Sequence, residues 1–168
     1  EPLLPMTTND PETLGLWGAI HKRLWELKRQ EADLNESIGA YERGFSVKQD
    51  YYNGINLAFL LDLRGLQALK VGQRDEGVAD TVLARRIRRD VIRYAEQALA
   101  HEMTNEKRYW VIATLWEAAV GLDDNGGIQK WEAEARALKV PAWMVETTVR
   151  QIGSVQATLV DIAQRRVQ

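Results

Sequence analysis

Apolar residues recur every three to four positions along most of the chain, which is the spacing of α-helices that bury one face. The first such segment begins after Asp10, which can cap a helix starting at Pro11 and ending near Lys28. Residues 1–9 contain two prolines and no periodic pattern. We therefore expect a flexible N-terminal segment over residues 1–9 and a helical domain over residues 10–168.

Two further helices are predicted downstream of a polar break, K-R-Q-E-A-D. Asp33 and Glu36 have the spacing of a capping box, and apolar residues follow them at helical intervals. Asp50 can cap a third helix that begins with the stretch Y-Y-N-G-I-N-L-A-F-L-L-D-L-R-G. This helix is apolar on nearly all sides, which predicts that it lies in the interior.

The second half of the chain predicts four more helices. One covers residues 78 to about 101, and a second is capped by Thr104 and ends at the loop G-L-D-D-N-G-G. A third covers residues 128–138, and the last opens at Pro141 and runs to the C-terminus with a bend at Gly153. About seven helices and no strand indicate an all-α fold, an array of antiparallel helical hairpins closed by a C-terminal capping helix.

Three of these helices contain a loosely repeated pattern in which a small or polar residue lies between larger ones. Gly18, Asn56 and Thr114 occupy the corresponding position, and they are spaced more widely than the roughly 34 residues of the tetratricopeptide consensus. The pattern favours a degenerate, tetratricopeptide-like repeat.

Four stretches resemble the TRAFs-binding domain family, which is the tetratricopeptide-like helical region of apoptosis signal-regulating kinases and of many bacterial proteins. They are L-W-G-A-I-H-K-R-L-W-E, A-Y-E-R-G-F, D-Y-Y-N-G-I-N-L-A-F-L-L-D-L-R-G and R-Y-W-V-I-A-T-L-W-E-A-A-V-G-L. The resemblance covers about residues 10–141 and is most specific at Y-Y-N-G-I-N-L-A. It implies a regulatory, partner-binding helical array.

Charge, cysteine content and hydropathy limit which partners and compartments we expect for this chain. The 22 basic and 24 acidic residues give a net charge of -2, so no overall field attracts nucleic acid or an anionic membrane. Cysteine is absent, which favours a reducing compartment, and we expect a cytoplasmic protein. No apolar run of about 18 residues is present to span a bilayer.

The motifs of catalysis and metal binding are incomplete. His101 and Glu102 could begin a zinc-protease motif, but Asn105 stands where the second histidine is needed. His21 lies on the apolar face of the first helix and is interpreted as a core residue. We therefore expect no enzyme activity, no metal site and no cofactor.

Two sets of residues are candidates for partner binding. Tyr52, Asn53 and Asn56 lie on the helix that would line a tetratricopeptide groove, where amides can clamp a peptide backbone. An equally good alternative is that these amides are bonded internally. Arg85, Arg89 and Arg93, here called the arginine face, align along the fourth helix beside Arg86 and Arg88.

The arginine face has three interpretations. The simplest is a solvated surface, partly neutralised by Asp80, Asp90 and Glu96. The second is an acidic peptide site, and the last is an RNA backbone site. An exposed tryptophan, with Trp143 as the candidate, would mark a further docking surface.

The sequence thus predicts a noncatalytic interaction or scaffold module of a regulatory or signalling system, which binds a protein segment on its helical groove. The alternative is a regulatory domain of a larger effector enzyme or kinase-like signalling protein. Local nucleic-acid or anion binding by the arginine face ranks third.

Overall fold

The structure, a computed structural model, describes residues 7–166, and all regular elements within them are α-helices. The helices are α1 Pro11–Lys28, α2 Glu31–Lys48, α3 Tyr51–Lys70, α4 Arg74–Leu99, α5 Asn105–Leu122, α6 Asn125–Ala137 and α7 Ala142–Arg166. The prediction of an all-α array with about seven helices is confirmed. Residues 1–6 of the predicted N-terminal segment lie outside the described residues, and the predicted domain division stays a prediction.

Three helices begin with side-chain caps at the predicted positions. Asp10 Oδ2 accepts a hydrogen bond from the Thr13 N–H at 2.8 Å. Asp50 Oδ1 accepts from the Asn53 N–H at 2.8 Å, and Thr104 Oγ1 accepts from the Lys107 N–H at 3.3 Å. Each bond satisfies a backbone donor that has no partner inside its own helix, and so fixes where α1, α3 and α5 start.

The capping box predicted for α2 is wrong. Gln30 is the cap residue and makes no side-chain capping bond. Asp33 Oδ1 instead lies 2.9 Å from His21 Nδ1, and the indole Nε1 of Trp17 donates to Glu36 Oε1 at 2.8 Å. Both carboxyl groups thus join α2 to α1, and a partner on another helix has taken the place of the local cap.

Several boundaries also differ from the predicted ones. Helix α4 begins at Arg74, ahead of the predicted residue 78, because only residues 71–73 interrupt the helical path. Helix α6 begins at Asn125, inside the stretch interpreted as a loop, because Asp124 caps it by accepting from the Gly127 N–H at 3.1 Å. Helix α7 runs from Ala142 to Arg166 without interruption at Gly153, and the predicted bend there stays a prediction.

The helices pack as three hairpins, α1 with α2, α3 with α4 and α5 with α6, and α3 and α5 lie at the centre. One core cluster joins α1 to α4 around Leu34, Leu60 and Val91. The other joins α3, α4 and α5 to α6 and α7 around Tyr109 and Leu115. Tyr51, Leu63 and Ile92 are partly buried and pack against both clusters.

Helix α7 leaves the path of the array. Among the described helices it packs against α3 and α5 and makes no close backbone approach to α6, the helix that precedes it. It buries Met144, Ile152 and Val155 against the central helices. Helix α7 therefore lies across one face of the array instead of extending the row of hairpins.

No helix within residues 7–166 is both long enough and apolar enough to cross a membrane.

Candidate functional site

A groove of about 700 Å³ lies between α1, α3 and α7. Helices α3 and α7 contribute residues at helical spacing, so each presents one continuous stripe to it. The stripes are Tyr52, Asn56, Phe59 and Leu63 from α3, and Thr147, Arg150, Gln151, Ser154 and Thr158 from α7. Helix α1 forms the opposite wall with Ala19, Lys22, Arg23, Trp25 and Glu26.

Lys22 is the polar centre of this groove. Its Nζ donates to Asn56 Oδ1 at 3.3 Å and to Gln151 Oε1 at 3.5 Å, and it lies 5.0 Å from the centre of the Phe59 ring. The Lys22 ammonium thus bridges all three groove helices. Loss of hydration on burial lowers the pKa of Lys22, because the charged form is the one that water stabilises.

Glu117 on α5 continues the polar network beneath the groove. Gln151 Nε2 donates to Glu117 Oε1 at 3.1 Å. The residue is only 8% exposed, and burial raises the pKa of its carboxyl group even though Lys22 opposes that shift. Asn56, Lys22, Gln151 and Glu117 therefore form one hydrogen-bonded chain from α3 through α1 and α7 to α5.

The groove has a cationic rim with aromatic walls. The cations among its lining residues are Lys22, Arg23, Arg29 and Arg150, and the acid among them is Glu26. The guanidinium carbon of Arg29 lies 4.5 Å from the centre of the Trp25 ring. Tyr52 is 49% exposed and presents its ring at the same rim. This combination suits a ligand that carries negative charge together with apolar surface.

The structure separates the three predicted residues of α3. Tyr52 and Asn56 line the groove, and Asn56 also donates from Nδ2 to the Tyr52 carbonyl at 3.0 Å. Asn53 lies outside the groove at 2% exposure, and its Nδ2 donates to Asp50 Oδ2 at 2.8 Å. In this arrangement Asn53 supports the start of α3, and its burial leaves no surface for a partner to contact. A binding role for Tyr52 and Asn56 stays a prediction.

None of the three residues of the arginine face lines the groove. Arg85 is half-buried and donates from Nη2 to the Leu122 carbonyl at 3.3 Å. Arg89 and Arg93 are exposed, and Arg93 pairs with Asp90 on its own helix. The arginine face is thus less continuous than its spacing suggests, and its role in binding stays a prediction.

Arg88, which the sequence placed beside the arginine face, is buried. Its side chain is fully shielded from solvent, and its Nη1 lies 2.6 Å from Asp62 Oδ2 on α3. Gly121 on α5 makes room for it, because a Cβ at that position would collide with the Arg88 guanidinium. The acidic residue within the apolar stretch of α3 was the sequence signal for such a buried cation.

Sequence reasoning missed Lys22, Glu117, Arg150 and Gln151. Lys22 lies in the ordinary polar run H-K-R, and Arg150 and Gln151 reach the groove only because α7 lies over α3. Glu117 carried a usable signal, since it is a lone acid within the apolar stretch V-I-A-T-L-W-E-A-A-V. Within the described residues no cluster of three or more metal-ligating side chains is present.

Trp143 is 59% exposed and lies one helical turn before Thr147 on α7. Its ring centre is 5.9 Å from that of Trp110 on α5. The groove stripe of α7 therefore continues to the exposed ring of Trp143, which packs on the partly buried Trp110.

One family model, described as TPR-S, Tetratricopeptide Repeats-Sensor, matches residues 1–61. The match covers α1, α2 and the first half of α3, and so includes Lys22, Tyr52 and Asn56. It supports tetratricopeptide-like repeats without singling out the TRAFs-binding family. Neither the curated proteins nor the solved structures yield a match.

Proposed function

We propose that the chain is a noncatalytic interaction module of a regulatory or signalling system, and that it binds a segment of a partner protein in the groove between α1, α3 and α7. The observation that carries the proposal is the lining of the groove, where amide and ammonium groups alternate with aromatic rings. Tetratricopeptide-like repeats generally mediate contacts between proteins. The expected reducing, cytoplasmic setting belongs to the same proposal.

The amides of the groove suit an extended peptide. Asn56 and Gln151 face each other across Lys22, and beyond the bonds described above each amide has one further N–H and one further lone pair for main-chain groups. The exposed ring of Tyr52 at the rim can pack against side chains of the segment.

A regulatory setting has two supports. The matched family is described as a sensor, and the chain resembles the TRAFs-binding region of signalling kinases. The second candidate function, a regulatory domain within a larger effector protein, is favoured by α7. Helix α7 lines the groove and also packs against both central helices, α3 and α5. A bound segment and the core would therefore contact the same helix.

Site-specific photo-crosslinking tests the proposal. We would place p-benzoylphenylalanine at Tyr52, irradiate in lysate of the source cells, and identify captured proteins by mass spectrometry. The matched control carries the same group at Val71, which is 71% exposed and lies outside the groove. We expect a protein captured at position 52 alone, with capture reduced by Asn56→Ala. Identical captures from both positions, or none from position 52, would contradict a groove function.

A further inference from the structure

Among the described residues, no carboxylate lies within ion-pair distance of the Lys22 ammonium. Charge-assisted N–H···O bonds are typically about 2.7–2.9 Å long. Both bonds of Lys22 are longer, at 3.3 and 3.5 Å, and both acceptors are neutral amides. Glu117 acts on Lys22 by charge from a longer distance, and its hydrogen-bonded link to Lys22 runs through Gln151. A cation that has lost hydration without gaining a carboxylate contact has unused capacity to bind an anion.

The rim adds further cations that are weakly paired. Arg23 lies 3.8 Å from Glu26, and both side chains are largely exposed, so this pair contributes little. Arg150 is exposed on the α7 stripe and forms no ion pair among the described residues. The cations thus lie on both walls of the groove, on α1 and on α7.

Trp25 supplies another donor at the α1 wall. The residue is 6% exposed, and its indole Nε1 has no hydrogen-bond acceptor within the described residues. A buried N–H without an acceptor is unfavourable, and an oxygen of a bound ligand would satisfy it.

We infer that the segment bound in the groove is acidic, and that one of its carboxylates contacts Lys22 while neighbouring acidic groups pair with Arg23 and Arg150. The inference rests on the proposed function and specifies that the bound segment is negatively charged. The carboxylate would replace two long bonds to neutral amides with a short charge-assisted bond. The rings of Trp25 and Tyr52 would cover the aliphatic part of the acidic side chains.

The length of the groove favours a peptide over a small phosphate-bearing molecule, which would offer similar oxygens. The α7 stripe runs from Thr147 to Thr158, which corresponds to roughly 16 Å along a helix. An extended chain covers that distance in about five residues. Cations on both walls can then contact successive acidic residues of one segment.

A peptide-binding experiment tests the inference. Fluorescein-labelled hexa-L-glutamate and hexa-L-glutamine would be titrated with the protein at low salt, and binding would be measured by fluorescence anisotropy. We expect the glutamate peptide to bind at least about tenfold more tightly than the glutamine peptide. Lys22→Met should weaken glutamate binding about tenfold and leave glutamine binding unchanged.

The chain offers a matched control for each variant. Lys28→Met makes the same change on the same helix, at an exposed residue outside the groove. Arg150→Gln should also weaken glutamate binding, and Arg165→Gln, at an exposed residue of the same helix outside the groove, is its control. Both controls should leave affinity within about twofold of the unmodified protein. Circular dichroism and thermal unfolding confirm that each variant is folded.

Four outcomes would overturn the inference. Equal affinity for the two peptides would show that charge is not recognised, and equal losses in Lys22→Met and Lys28→Met would show unspecific attraction. Tripolyphosphate binding more tightly than hexaglutamate, with the same dependence on Lys22, would assign the groove to a small anion. If position 52 still captures a partner protein while hexaglutamate does not bind, the groove function stands and its acidic specificity fails.

Discussion

Arg88 and Asp62 form the residue pair on which the junction of α3, α4 and α5 depends. Their side chains are 0% and 2% exposed, and Gly121 provides the space in which the guanidinium lies. Removing one partner leaves the other charged and buried, whereas removing both leaves a site that apolar side chains can fill. The loss of stability when one partner is removed is therefore larger than the net stability that the intact pair contributes.

We predict that Arg88→Met lowers the free energy of unfolding by about 3–5 kcal/mol, because buried Asp62 loses its direct ion-pair partner and keeps only the more distant charges of Arg85 and Arg166. The double variant Arg88→Met/Asp62→Leu should be more stable than Arg88→Met alone. Urea denaturation followed by circular dichroism measures the double variant and both single variants, Arg88→Met and Asp62→Leu. If the losses of the two single variants simply add in the double variant, the two side chains are not coupled.

Glu117 predicts a pH dependence of stability. Burial raises the pKa of its carboxyl above the ordinary 4.5, so the folded state holds this proton more tightly than the unfolded state. Stability then falls as pH rises from 4.5 through the folded pKa, and is greatest below 4.5 as far as this group contributes. The pKa of Lys22 is lowered by folding. Its contribution to stability therefore rises with pH between the lowered pKa and 10.5, because the unfolded state holds that proton more tightly.

Glu117→Gln removes the titrating group and keeps an acceptor for Gln151 Nε2. We expect the urea midpoint to change less between about pH 5 and about pH 7 in this variant than in the unmodified protein. Glu102→Gln, a change at an exposed carboxylate, is the control and should retain the original dependence. An unchanged pH dependence in Glu117→Gln would assign the effect to another group.

At the scale of the helices, α3 and α4 approach closely where two glycines meet. A Cβ on Gly77 would lie 2.6 Å from Leu69 Cγ and 2.8 Å from the Gly65 carbonyl oxygen. Gly153 in α7 is also inside a helix, but nothing lies within 4 Å of the position of its Cβ. Gly77 and Gly153 have the same intrinsic helix propensity, but Gly77 lies against a neighbouring helix and Gly153 does not.

We therefore predict opposite effects of the same substitution. Gly77→Ala should destabilise the protein by about 1–3 kcal/mol, because the backbones of α3 and α4 must separate. Gly153→Ala should stabilise it by about 0.5–1 kcal/mol, since alanine is the better helix former. Thermal unfolding of both variants measures the difference, and stabilisation by Gly77→Ala would show that the crossing can open without penalty.

The elements that the sequence could predict depend on contacts between residues close together in the chain, and those that it could not predict depend on contacts between distant helices. Apolar spacing and the caps Asp10, Asp50 and Thr104 are local, and they located α1, α3 and α5. Asp33 has the spacing of a cap, but its partner His21 lies on another helix. Tyr52 and Asn56 could be expected in a groove from their place in a repeat, whereas the contribution of Arg150 depends on where α7 docks.

At the scale of the whole molecule, α7 is the helix that lies outside the row of hairpins. It contacts α3 and α5 and closes the groove, but makes no close approach to α6 among the described helices. Its docking depends on a few buried apolar side chains, among them Met144, Ile152 and Val155. An element held on one face can detach without unfolding the helices beneath it.

We predict that Ile152→Ala accelerates amide hydrogen exchange in α7 more than in α1 and α2. Ile152 is 5% exposed, and truncating such a side chain typically costs about 2–5 kcal/mol. That loss falls first on the docking of α7, while the contacts between α1 and α2 remain. Val149→Ala, at a residue 46% exposed on the same helix, is the control and should leave exchange unchanged. Equal acceleration in all helices would mean that α7 and the array unfold as one unit. Faster exchange confined to α7, together with weaker hexaglutamate binding, would make α7 a movable wall of the groove and link occupancy of the site to the position of one helix.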